Sequence, residues 1–144
     1  DDNQGFAAAL RNILVAWGSV QVLGIASDGR AALECAASLR PDLVLMDIAM
    51  PGLDGLSAAR RMRGWSEPPR IVLMSLNDGA AYRAAAASLG EVGFVGKGDI
   101  LVELAPLVAH MVADKVAGPG SQDRGPAPDG LHDGTRAADK RKSR

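Results

Sequence analysis

Three short apolar runs constrain this chain more than any other feature: Leu43-Val44-Leu45-Met46, Ile71-Val72-Leu73-Met74 and Val92-Gly93-Phe94-Val95. None alternates with polar residues. A strand exposed on one face would show that alternation, so these runs read as strands buried on both faces, as in a parallel sheet covered by helices on each side. Val20 to Ala26 reads as a fourth strand of the same kind. Between the runs, apolar residues recur at helical spacing. Phe6, Leu10, Ile13, Leu14 and Trp17 mark a first helix, and Ile100, Leu101, Leu104, Leu107, Val108 and Met111 a last one. Shorter helices are expected at 30–39, 56–63 and 80–89. Pro106 removes a backbone donor and is expected to kink or split the last helix. Helix and strand alternating at these intervals imply right-handed crossovers and an α/β, doubly wound parallel sheet.

Size and composition narrow the function classes. A chain of 144 residues has room for one ordinary domain. No apolar stretch reaches the ~18 residues of a membrane span and no signal pattern opens the chain, so it reads as cytoplasmic with no membrane partner. A single cysteine, Cys35, with His110 and His132 as the two histidines, excludes an internal disulfide and a Cys/His zinc site. A net charge of -1 and only five aromatics argue against a nucleic-acid surface. Composition changes near Val116: beyond Asp114 only Val116 and Leu131 are large and apolar, and Gly and Pro are frequent. Such a segment cannot bury enough to offset its ordering entropy, so 1–113 is expected to form the domain and 114–144 a disordered tail. Lys140, Arg141, Lys142 and Arg144 read as solvated tail charges.

In doubly wound sheets, function collects at the carboxyl ends of the strands. Asp47 ends one run, Ser75 the next, and Lys97 follows the last. Taken singly, an acid after a strand is more often a turn or helix-cap residue, a serine there could be a strand-end cap, and a lone lysine is usually a solvated charge. Their placement on consecutive strand ends points to one site.

The same residues carry a resemblance. PDLVLMDIAMPGLDG from Pro41 to Gly55, IVLMSL from Ile71 to Leu76 and GFVGK from Gly93 to Lys97 resemble receiver domains of bacterial two-component response regulators. The opening Asp1-Asp2 before an amphipathic helix is similar to that family's acidic pair, and SLNDGAAYRAAAASLG is most similar to receivers of LuxR-type regulators. The resemblance implies a flavodoxin-like receiver fold of strand order 2-1-3-4-5. It implies that Asp47 accepts a phosphoryl group from a sensor histidine kinase, that Lys97 and Ser75 contact that group, and that Ser75 and Phe94 act as the switch. Asp1, Asp2 and Asp47, with the backbone carbonyl of Ala49, would hold Mg²⁺. Two unit charges ~4 Å apart repel by ~4 kcal/mol at an effective dielectric of 20, and a divalent cation resolves that repulsion. The output would be a downstream protein partner or self-dimerisation through the fourth helix, last strand and last helix. No helix-turn-helix sequence follows, which argues against a DNA-binding output in this chain. The module would assist its own phosphorylation and dephosphorylation without being an enzyme in the usual sense.

One feature departs from the family. Its members carry a hydrophobic strand just before the acidic pair, central in the sheet, and here the sequence shown starts at Asp1. The central first strand is apparently absent, and the strands at Val20 and Leu43 would then have unpaired inner edges. A rival reading is therefore a truncated or pseudo-receiver acting only as a protein-binding module. Flavodoxin-like cofactor binding is weaker, because no loop after a strand is rich in Gly, Ser and Thr suited to cradling phosphate.

Overall fold

A computed structural model describes residues 1–77 and 79–116. The order is α1 (Gln4–Trp17), α2 (Gly29–Leu39), β1 (Leu43–Asp47), α3 (Gly55–Arg63), β2 (Arg70–Ser75), α4 (Ala80–Ser88), β3 (Val92–Gly96), a single 3-10 turn at Lys97–Asp99, and α5 (Ile100–Val116). Pro106 does not split α5. It leaves the Val102 carbonyl without its helical donor, but Val102 is on the solvent side of the helix, where water can serve. The expected tail at 114–144 lies, apart from the last residues of α5, outside the described residues.

The three apolar runs become the three strands of a parallel sheet in the order β1-β2-β3. Leu45 pairs with Val72 and Leu73 with Phe94, which puts the carboxyl ends of all three strands on one edge of the domain. β2 is central, and its Ile71, Val72 and Leu73 are fully buried. On one face, Met46, Ile71 and Leu73 pack with Ala58, Ala59 and Met62 of α3, Ala36 of α2 and Ala86 of α4. Small alanines on the helices let the backbones come close to the sheet, so a core poor in aromatics still packs densely. On the other face, Gly93 leaves room that Leu107 of α5 and Val72 fill; a Cβ there would lie 3.2 Å from each.

Local chemistry explains where the helices begin. Asn3, Asp28 and Asp54 are the N-caps of α1, α2 and α3, and each side-chain oxygen accepts a backbone N–H in the first turn, from Phe6, Ala31 and Ser57 respectively. Each cap satisfies an amide that the helix leaves unpaired. Gly18, at φ 69°, ends α1 in the left-handed conformation.

The expectation of a strand at Val20–Ala26 is corrected: this segment has no strand pairing. Its residues are apolar enough for a strand. A ladder, however, needs a neighbour's N–H and C=O groups, and in the order 2-1-3-4-5 the only neighbour of this segment is the central first strand. Among the described residues β1 pairs with β2 alone, and Leu23 and Ile25 are 46% and 50% exposed.

Candidate functional site

Asp47 and Ser75 are the last residues of β1 and β2, and Lys97 directly follows β3. The parallel register brings them to the same edge of the sheet. Asp47 and Ser75 are buried polar residues at the ends of strands whose other buried residues are apolar. A close approach fixes the loop after Asp47. The Ile48 amide donates to the Met74 carbonyl, and the Gly55 amide donates back to Ile48 at 2.9 Å. A Cβ on Gly55 would collide with the Asp47 carbonyl oxygen, so only glycine lets α3 start this near the strand end.

The Lys97 ammonium lies at the centre. Its Nζ donates to Asp47 Oδ2 at 2.7 Å and sits 2.8 Å from Asp1 Oδ2. The side chains of Lys97, Asp1 and Asp47 are only 6%, 5% and 4% exposed. Asp47 Oδ1 accepts the Ala49 N–H at 3.1 Å. Asp1 is placed by local bonds: Oδ1 accepts the Asn3 N–H, and the amino group of Asp1 donates to the Ala26 carbonyl at 2.9 Å. Burial pushes that amino group below its ordinary pKa of 8.0, with Asp47 opposing the shift.

One lysine does not satisfy this cluster. Carboxylate oxygens of Asp1, Asp2 and Asp47 lie within 4.8 Å of one another. Asp1 Oδ2 is buried, and among the described residues the Lys97 ammonium at 2.8 Å is the one cation against it. Three converging carboxylates facing a single ammonium keep a net negative charge, and they form a set that could hold a metal ion.

Ser75 Oγ accepts the Asn77 N–H at 3.1 Å, which leaves its own proton free to point elsewhere. Phe94, half-buried on β3, lies under the Arg83 guanidinium of α4 at 4.8 Å from the ring centroid. Ala49 is exposed in the loop beside Asp47. Two side chains at the site escaped the sequence reading. Phe6, taken there as one of the apolar stripe of α1, has its ring 4.4 Å from Lys97 Nζ. Arg83 carried no signal at all. The first contact joins residues ninety-one positions apart and the second joins a helix to the next strand, and no helical or strand spacing encodes either.

A parallel α/β sheet with converging carboxylates, a buried lysine and a hydroxyl at its strand ends defines a class of signalling domain. Residues 1–106 match the response regulator receiver domain family, and the chain belongs to it. The "Probable transcriptional regulatory protein NarL" of Mycobacterium tuberculosis is 37% identical over 108 residues, covering 75% of this chain and 50% of that protein. A protein-glutamate methylesterase/protein-glutamine glutaminase of Myxococcus xanthus is 34% identical over 129 residues, or 88% of this chain and 37% of that protein. The chain thus spans half or less of the length of these curated relatives. Among solved structures, the signal receiver domain of NarL from M. tuberculosis superposes with a TM-score of 0.73 at 35% identity, covering 78% of this chain and 91% of that one. The response regulator domain of Thermotoga maritima CheB does so with a TM-score of 0.67 at 30% identity, covering 79% and 90%. The matched residues form a receiver domain of two-component regulators, a signalling module. No helix among the described residues is long and apolar enough to cross a membrane.

Proposed function

We propose that Asp47 is the phosphoacceptor. Its carboxylate oxygen attacks the phosphorus of a phosphohistidine on a sensor kinase, the P–N bond breaks as the O–P bond forms, and the imidazole leaves with a proton from water. The observation that carries this reading is the buried lysine held between Asp47 and Asp1 at 2.7 and 2.8 Å. Phosphoryl transfer is limited by positioning and charge neutralisation, and an ammonium fixed beside the nucleophile supplies both. The acyl phosphate formed is hydrolysable, so the signal has a lifetime.

Asp1, Asp2 and Asp47 with the Ala49 carbonyl would hold Mg²⁺, a hard ion suited to an all-oxygen set that leaves room for water. The three converging carboxylates, which one ammonium does not neutralise, fit that role. When bound, the ion neutralises charge on the phosphoryl oxygens. Lys97 then turns its ammonium to a phosphoryl oxygen and Ser75 donates its hydroxyl proton to another. Ser75 and Phe94 act as the switch: movement of the hydroxyl opens space behind it, Phe94 turns inward, and α4, β3 and the first turns of α5 present a changed face to a downstream protein or a second copy. We assign this role to 1–113 and none of it to 114–144.

Incubation with acetyl phosphate and Mg²⁺, followed by intact-mass measurement, tests this directly. One added phosphoryl group is expected, and both Asp47→Asn and chelation of the metal should prevent it. An unchanged mass in the folded chain would falsify the phosphoacceptor reading. The second reading, a module that only binds proteins, is favoured by the unpaired Val20–Ala26 segment with Leu23 and Ile25 open to a partner. It requires that unchanged mass.

A further inference from the structure

The geometry points to Phe6 as a positioning residue for phosphoryl transfer, acting through Lys97; this role rests on the phosphoacceptor reading. The Lys97 ammonium has three hydrogens and three neighbours: Asp47 Oδ2 at 2.7 Å, Asp1 Oδ2 at 2.8 Å, and the face of the Phe6 ring, 4.4 Å from Nζ to the centroid. An aromatic face attracts a cation at that distance, most strongly where water is excluded, and this lysine is 6% exposed.

The ring is itself held in place. Asp1 Oδ1 accepts the Asn3 N–H at 2.9 Å, and Asn3 Oδ1 accepts the Phe6 N–H at 3.0 Å. Acid, cap, ring and ammonium therefore close a circuit in which the start of α1 is tied to the residue after β3. Leu10 of the same helix is buried, whereas Phe6 is half-buried with its ring against the ammonium.

The arrangement matters when the carboxylates change partners. A divalent cation on Asp1 and Asp47 draws away the oxygens that hold the ammonium, and a four-carbon side chain so released has many conformations. Phe6 cannot be drawn away, because a hydrocarbon ring offers nothing to the metal. It keeps the ammonium beside Asp47 until phosphoryl oxygens arrive.

The test measures phosphorylation rate with acetyl phosphate at saturating Mg²⁺, with unfolding curves for each variant. Phe6→Leu should slow the reaction by about thirtyfold, the loss a desolvated cation–π contact implies, and Phe6→Tyr should restore it. In a Lys97→Ala background Phe6→Leu should cost nothing further, since both changes remove one interaction. An equal loss in both backgrounds, or an unchanged rate for a folded Phe6→Leu, would overturn the role. The ε-methylene protons of Lys97 provide a readout independent of phosphorylation: their ring-current shift should be upfield in the parent chain and vanish in Phe6→Leu. A parent chain that takes no phosphoryl group refutes the phosphoacceptor reading and the role together. A phosphorylated parent with no ring-current shift refutes the role of Phe6 alone.

Discussion

Replacing Lys97 by Met keeps an unbranched side chain and removes its charge. In the parent chain one ammonium serves two carboxylates that are 5% and 4% exposed. Breaking a buried ion pair from one side typically costs about 3–5 kcal/mol, because the remaining charge is left buried and uncompensated. Exposed Asp2 and Ala49 border the cluster, so water can reach part of it and the lower end of that range applies. A loss of about 3 kcal/mol is a large share of the ~5–15 kcal/mol that holds a domain together. The assay is urea unfolding in EDTA, followed by circular dichroism. Adding Mg²⁺ should raise the midpoint of Lys97→Met by more than it raises that of the parent, because the ion no longer competes with an ammonium for Asp1 and Asp47. Saturation at one hundred times the dissociation constant adds about 2.7 kcal/mol. Asp47→Asn in the Lys97→Met background should recover part of the loss even without metal. A Lys97→Met midpoint equal to the parent's in EDTA would show that the ion pairs contribute nothing to the fold and that the cluster is solvated.

Two further outcomes are expected. Adding five apolar residues ahead of Asp1 should raise the unfolding midpoint, since a strand between Val20–Ala26 and β1 would pair with both and cover Leu23 and Ile25, at about 1.5–3 kcal/mol per large side chain fully buried; an unchanged midpoint would mean that this gap does not accept a strand. Deleting 118–144 should leave the midpoint nearly unchanged, because Leu131 is the only large aliphatic residue there, and a marked drop would show that the segment docks.

The strands that form the sheet were legible because each carries its own evidence. Leu43–Met46, Ile71–Met74 and Val92–Val95 are continuous apolar runs, and burial on both faces writes that pattern directly into sequence. Asp47, Ser75 and Lys97 were legible for the same reason, since a polar residue that ends such a run lands at the sheet edge where sites form. The geometry among them was not. Lys97 reaches Asp47 across fifty positions of sequence and Phe6 across ninety-one, and only packing decides which of several neighbours an ammonium meets.

Val20–Ala26 shows the limit most clearly, because its composition is as strand-like as that of β1 and yet it has no strand partner among the described residues. Apolar pattern determines which faces a segment can bury; pairing is a property of two segments, and half of it lies outside the segment being read. Asp1 is held by the Ala26 carbonyl, the Asn3 amide and Lys97. Lys97 follows β3, whose Val95 is buried and which pairs with the central strand. The acidic end of the site is therefore anchored to the core through a lysine, with Phe6 against that lysine, and disturbing either side chain should displace Asp1 as well as the ammonium.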